Sequence, residues 1–413
     1  MTSVVKLGEL FRVGSSKRVL KSQWKKAGVP FYRGREITRL AADGLVENEL
    51  FISESLYQDL SDQYGAPDAE DIMITAIGTI GNSYVVREGD RFYFKDASVL
   101  WLKKTADVSS AFINYWLKSC QFLDQLERGN GATVDTLTIQ KLQSVSLDLP
   151  PLATQRRIVA VLDEAFEAIA TAKANTEKNL QNARQWGVSE SEHVLGEAAL
   201  TGRPATLEAL VAPGCTLSYG IVQPGEDVPN GLPVIRPIDL GARTVSMSGL
   251  KRIDPALARS YSRTTLEGND LLLCVRGTTG TVAVADAELA GANVTRGIVP
   301  IRFDPHQVSS RLGYYLLRSE GVQQQICAKT YGTALMQINI GDLRQVVVAV
   351  PSMERQAQIV QRLEAIDESV EQLVGNYSRK LAALDELKQS LLHQAFSGQL
   401  TARLADRTVA ADV

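Results

Sequence analysis

No Gly-Lys pair occurs anywhere in the 413 residues, and without one there is no P-loop to cradle a nucleoside triphosphate. Histidine is nearly missing. His193, His306 and His393 stand far apart with no cysteine at ligand spacing, which leaves zinc sites and Ser-His or Cys-His catalysis unsupported. The four cysteines, Cys120, Cys215, Cys274 and Cys327, form neither a paired metal spacing nor a disulfide framework, so they read as small buried hydrophobes. No apolar run approaches the roughly 20 residues of a membrane helix. Charges fill the stretch from Met1 to Leu20 where a signal peptide would be apolar, so the expectation is a cytoplasmic protein with no membrane contact. No Asn-Pro-Pro-Tyr motif is present to hold a base for amino methylation. Glu386-Leu387-Lys388, which has the look of part of a nuclease signature, falls inside a helical pattern and reads as a surface ion pair.

What is present is ordinary in bulk and patterned in detail. A chain of this length exceeds one core, and 45% hydrophobic with 22% charged residues is the composition of a soluble globular protein. The net charge of −3 conceals segregation. Between Met1 and Arg39 lie Lys6, Arg12, Lys17, Arg18, Lys21, Lys25, Lys26, Arg33, Arg35 and Arg39 against only Glu9 and Glu36, and the stretch from Asp43 to Asp71 then has acids and no Lys or Arg. A basic segment is either a solvated face or a phosphate grip. Trp24, Phe31 and Tyr32 among the bases suggest a surface that also presses on sugars or bases.

The chain also repeats itself. Pro351, Gln356, Ile359, Val360 and Leu363 fall on Pro150, Gln155, Ile158, Val159 and Leu162 at a shift of 201 positions. Downstream of each, apolar residues recur at spacings of mostly four and three: Ile359, Leu363, Ile366, Val370, Leu373, Tyr377, Leu381, Leu384 and Leu391 in the second copy, and Ile158, Leu162, Ala165, Ile169, Ala172, Thr176, Leu180 and Ala183 in the first. That is the seam of a coiled coil, and each helix needs a partner for its stripe. The alternative is that both helices simply pack into one globular core. Both copies end on a small-residue stop, Ala199-Leu200-Thr201-Gly202 and Ala395-Phe396-Ser397-Gly398, with glycine where a helix C-terminus wants it.

The repeat extends upstream, with Leu207 answering Leu7 and Gly214 answering Gly14. Pro233 to Arg236 answers Pro30 to Arg33, and Asp270 to Gly280 answers Asp71 to Gly81. Each of the latter reads as strand, glycine turn and strand, with Thr79 in one turn and Arg276 and Thr278 at the other. The turns are either plain hairpins or backbone cradles for phosphate. Asp107 to Leu126 predicts a docking helix capped by Asp107 or Ser109, carrying Phe112, Trp116, Leu123 and Leu126.

In this order, twice, these features resemble the specificity subunit of a type I DNA restriction-modification system. Carrying the likeness are the Pro-x-x-x-x-Gln-x-x-Ile-Val-x-x-Leu helix starts, the Leu392-to-Leu400 ending, the Pro-x-x-Arg segments and the Arg276-to-Gly280 turn. The resemblance implies an α+β protein: two tandem α/β target-recognition domains separated by two long helices paired as an antiparallel coiled coil, a pseudo-two-fold repeat. Residues 1–150 and 203–350 are the expected recognition domains, 151–202 and 351–413 the spacer helices and tail. It further implies that each domain reads half of a bipartite site in double-stranded DNA, and that two methyltransferase subunits and restriction/translocase subunits attach. S-adenosylmethionine is then expected on the methyltransferase, ATP and Mg on the restriction subunit, and neither cofactor nor catalysis on this chain. Lys17, Arg18, Lys21, Lys25, Lys26, Lys251, Arg252 and Arg263 are candidate phosphate contacts. Arg33, Arg35, Arg236 and Arg276 are candidate base readers, with Arg33 and Arg236 alternatively structural ion-pair partners. The first copy departs at its glycine turn, where Ala76-Ile77 stands for Val275-Arg276. The rival readings are a nuclease or methyltransferase with unfamiliar motifs, and a protein-interaction scaffold.

Overall fold

A computed structural model describes residues 3–127, 136–332 and 335–400. The chain divides into two compact units, Met1–Glu177 with Arg379–Val413, and Lys178–Ser378. Both divisions fall inside long helices, Leu152–Thr201 and Met353–Phe396. At 1.5 Å per residue these helices are about 75 and 66 Å long. Among the described residues no helix is long and apolar enough to cross a membrane.

The first unit is built on a four-stranded antiparallel sheet in the order Phe11–Gly14, Val99–Lys104, Ile72–Thr75, Ser83–Val85. Its central strands alternate as a period of two requires. Ile72, Ile74, Leu100 and Leu102 face a core with Phe112, Ile113 and Trp116, while Met73, Val99 and Trp101 face Ile37 and Leu40 of the helix Gly34–Asp43. The first of these cores is closed by Ile158 and Leu162 from the start of one long helix and by Leu392, Ala395 and Leu400 from the end of the other and just beyond. A three-stranded sheet, Phe51–Ile52, Val29–Tyr32, Tyr93–Phe94, and a pair, Ser3–Lys6 with Ser146–Leu149, complete the unit.

The second unit repeats the plan. Leu271–Cys274 pairs antiparallel with Val282–Ala285 and Ile298–Ile301, and Leu271 and Leu273 face one core while Leu272 and Cys274 face another. Here too the long helices supply a wall: Val194, Leu195 and Ala198 from the end of one, Ile359, Val360, Leu363 and Ile366 from the start of the other. The edges differ. The fourth strand of this sheet is Thr244–Val245, parallel to Val282–Ala285, and the unit also carries a short hairpin, Thr330–Tyr331 with Gln337–Ile338.

The same glutamine hooks each long helix onto its unit. Gln155 accepts from the Ser109 N–H at 2.9 Å and donates to the Pro150 carbonyl at 2.8 Å. Gln356 accepts from Ser309 at 2.9 Å and donates to Gln307 and Pro351 at 2.7 and 3.1 Å. Both are 2% exposed, and Ser109 and Ser309 also cap helices, so each glutamine fixes a helix start to a cap.

The two long helices pair antiparallel. In the first unit Lys173 Nζ meets Asp385 Oδ1 at 2.7 Å. In the second, Gly187 lies against Val370, Arg362 bonds Glu197 at 3.0 Å, and Arg355 bonds Thr201 at 2.7 Å. Partner numbers fall along one helix as they rise along the other. A Cβ on Gly187 would fall 2.4 Å from Val370 Cγ2, so a larger residue there would force that side chain to shift. The exposed ion pairs add little to this; apolar burial and close approach hold the helices together.

Three expectations change. Of the four cysteines only Cys274 is buried; Cys215 is half-buried, and Cys120 and Cys327 are exposed. Asp107 to Leu126 is two helices, Ser110–Trp116 and Cys120–Glu127, because the Ser119 N–H and hydroxyl both turn back to the Trp116 carbonyl, at 2.9 and 2.7 Å. Leu123 is consequently 42% exposed. Gly398 takes the left-handed stop at φ +80°, but Gly202 is glycine for a different reason: its Cβ would press on the backbone of Ala349 and Val350 at 3.0 and 3.1 Å.

Replacing Gln356 with alanine strands a buried N–H and two carbonyls, so it should cost about 1–3 kcal/mol, read as a lower denaturant midpoint. Glu197→Ala, which removes only exposed ion pairing, should leave that midpoint nearly unchanged.

Candidate nucleic-acid interface

The two glycine turns share the same framing backbone hydrogen bonds. In the first unit Gly81 N–H donates to the Thr75 carbonyl at 3.0 Å and Thr75 N–H to Asn82 at 2.9 Å; in the second, Gly280 donates to Cys274 and Cys274 to Thr281, both at 2.8 Å. Ala76 N–H reaches Ser98 at 3.0 Å, and Val275 N–H reaches Gly297 at 2.8 Å. Gly78, Gly81, Gly277 and Gly280 all have φ between +80° and +95°, the left-handed region that excludes most side chains. These are turns between antiparallel strands, as expected, and what differs is the side chain each displays. Ile77 is 46% exposed on the first. Arg276 holds that position on the second, where the Nε atom is buried without a hydrogen-bond partner. Thr79 and Thr278 are exposed at the tips.

The Pro-x-x-Arg segments make ion pairs within each unit. Arg33 donates to Glu36 from its backbone N–H, Nε and Nη2 at 2.8, 3.1 and 2.8 Å, and Arg236 does the same to Asp239 at 2.7, 3.1 and 2.9 Å. Arg35 joins the first pair, bonding Glu36 at 3.1 Å and Glu49 at 2.6 Å. Each carboxylate closes the first turn of a helix by accepting from the residue before it. Of the two readings of Arg33 and Arg236, this geometry supports the structural one.

Lys17, Arg18, Lys21, Lys25 and Lys26 are all exposed on the segment linking Phe11–Gly14 to Val29–Tyr32. Their backbone is anchored: Lys17 N–H donates to the Tyr93 hydroxyl at 3.2 Å, and Lys25 exchanges two hydrogen bonds with Phe51 at 2.7 and 3.1 Å. The neighbouring aromatics do not press outward. Phe31 is 1% exposed, Trp24 is half-buried 6.1 Å from it, and Tyr32 stacks on Phe92 at 4.5 Å, so these rings are core that positions the lysines. In the second unit Lys251 bonds the Gly225 carbonyl, Arg252 donates to Gly231 at 3.1 Å, and Arg263 is exposed.

One basic group escaped the sequence reading. Arg243 lies over the Tyr314 ring at 4.8 Å and bonds Asp367 at 2.8 Å, and Arg318 stacks on the same ring at 4.9 Å. They border a cavity of about 490 Å³ beside the second glycine turn, lined also by Thr279, Gly280 and Thr281. Burial pushes the Tyr314 hydroxyl up, partly countered by the two arginines. Only the exposed bases signalled from the sequence here; the stacking needs residues 71 apart to meet.

Burial alone would raise the pKa of Glu36, but hydrogen bonds from Arg33 and Arg35 outweigh it and hold the carboxyl below its ordinary 4.5. A folded-state pKa below the unfolded one means stability gained at neutral pH and lost as pH falls through the folded value. Glu36→Gln should therefore lower the thermal midpoint at pH 7, and its deficit relative to wild type should shrink below about pH 4.

Comparison with known proteins agrees with this architecture. The family described as Type I restriction modification DNA specificity domain matches residues 2–182 and 245–375, more than half of the chain. The type I restriction enzyme EcoBI specificity subunit of Escherichia coli is 28% identical over 304 residues, 66% of this chain and 62% of that protein. The putative type I restriction enzyme specificity subunit S.HindORF215P of Haemophilus influenzae is 30% identical over 173 residues, 42% of each. The chain thus spans less than two thirds of the length of these relatives. A chain solved in work on complex assembly and conformational transition of the type I R-M system has a TM-score of 0.71 at 18% identity, covering 96% of this chain and 97% of that one. The HsdS subunit from Thermoanaerobacter tengcongensis gives 0.58 at 18%, with the same coverage. Likeness at that identity speaks for the fold, and the family match for descent: this chain belongs to the type I restriction-modification DNA specificity family.

Proposed function

We propose that the chain is the non-catalytic, sequence-reading subunit of a type I restriction-modification complex, binding double-stranded DNA at a gapped, two-part site. The observation that carries this reading is the glycine turn built twice with the same framing backbone hydrogen bonds and different side chains, Ile77 and Arg276. One scaffold with two unlike tips is what a reader of two unlike half-sites needs. Phosphate contacts are assigned to Lys17, Arg18, Lys21, Lys25, Lys26, Lys251, Arg252 and Arg263, which position the protein without specifying sequence. Base reading is assigned to the turns, with Thr79, Arg276 and Thr278 on them. Arg33, Arg35 and Arg236 serve as supports behind these surfaces, since their forks are taken by Glu36, Glu49 and Asp239.

The paired helices act as the spacer and as the seat for two methyltransferase subunits, with restriction/translocase subunits joining them. Residues 1–150 and 203–350 are the two readers, and 151–202 and 351–413 the spacer. S-adenosylmethionine would be held by the methyltransferase, and ATP and Mg by the restriction subunit. Such a complex works in the cytoplasm, where its DNA is.

Two measurements test this. Removing one heptad from the middle of both long helices should shorten the gap between half-sites by about three base pairs, at 1.5 Å per helical residue against 3.4 Å per base pair. The half-site sequences should stay the same in DNA selected by the complex; an unchanged gap would exclude the spacer role. Lys25→Ala with Lys26→Ala should weaken binding to all sequences alike and flatten its salt dependence by about one unit of slope for each phosphate no longer neutralised. A shift in preferred sequence would instead make those lysines base readers.

A further inference from the structure

We infer that Arg276 is a specificity-determining residue that reads a guanine in one half-site only, from a head formed by the glycine turn and the hairpin Thr330–Tyr331 with Gln337–Ile338. The inference rests on the proposed function and names its chemistry.

Arg276 is clamped by its backbone neighbours. Gly277 N–H donates to the Met336 carbonyl at 2.8 Å, Ile338 N–H to the Val275 carbonyl at 3.1 Å, and the Thr279 hydroxyl to Met336 at 3.2 Å. The hairpin thus holds the turn on both sides of the arginine. In this unit Arg236, Arg243, Arg302, Arg311, Arg344 and Arg362 are paired with carboxylates, and Arg276 is among those for which the described residues supply none. Its Nε is also buried with no acceptor in the unit. A guanidinium on a backbone clamped at both neighbours, with no carboxylate of its own, can turn its terminal nitrogens to a bidentate acceptor, and in duplex DNA the two groups that present one are the O6/N7 edge of guanine and a phosphate.

The surroundings favour the base. Leu335 and Met336 beside the turn are 45% and 42% exposed, and Tyr331 on the hairpin is 45% exposed. Exposed apolar side chains suit base edges and thymine methyl groups, and do nothing for a phosphate. The equivalent position in the first unit is Ile77, which has no donor to offer, so this contact is made to one half-site.

The test is selection from a random DNA pool by the full chain with its methyltransferase subunits, comparing wild type with Arg276→Met, which keeps the aliphatic stem. Wild type should demand guanine at one position of one half-site. R276M should relax that position by about ten- to hundredfold, leave every other base unchanged, and melt at the wild-type temperature. Uniformly weaker binding to all sequences would make Arg276 a phosphate contact, and an unaltered site would remove it from the interface; either overturns the assignment. If R276M does not fold, Arg276→Gln, which keeps a polar side chain and loses the charge and the fork, is judged by the same criteria. A wild-type pool with no gapped two-part site would instead overturn the functional reading, and this assignment with it.

Discussion

A helix with one narrow apolar stripe cannot remain uncovered over forty or fifty residues, and this constraint organises the rest of the chain. Each long helix is too polar on its remaining faces to be buried in a core, so its stripe is met by a second helix of matching length. The glycine at 187 shows how close the two come. At its ends the paired stripe also forms a wall of a globular core: Ile158 and Leu162 at one start, Ile359, Val360 and Leu363 at the other. Pairing and core packing are therefore combined at the two ends of the pair, each in its own unit rather than in one shared core.

Within each unit the glutamine hook makes the helix direction a property of the domain. A buried side chain that both accepts and donates cannot slip by a residue without stranding polar groups. The start of each long helix is thereby aimed by the cap of a neighbouring short helix, and the same wiring at Gln155 and Gln356 keeps the two units alike despite different edge strands.

Features that repeat locally were legible in the sequence. The seam shows in apolar spacing, the turns in their glycines, and the Arg33–Glu36 and Arg236–Asp239 pairs in a separation of three residues at a helix start. Features made by distant residues were not legible. Phe31 and Trp24 sit among lysines in the chain, yet they are drawn inward by Ile52 and Tyr93. Arg243 acquires its role from Tyr314 and Asp367, and the clamp on Arg276 comes from a hairpin of two residues per strand, too short to show a period.

The core of the first unit takes Leu392, Ala395 and Leu400 as one of its walls. A ribosome working from the N-terminus releases these residues some 250 positions after the strand Ser146–Leu149, roughly ten to fifty seconds later at 5–20 residues per second. The first unit must wait through that interval with apolar surface open, while the second unit holds all its own walls by Ser378. The first unit thus closes its core after the second, although most of its residues are made earlier.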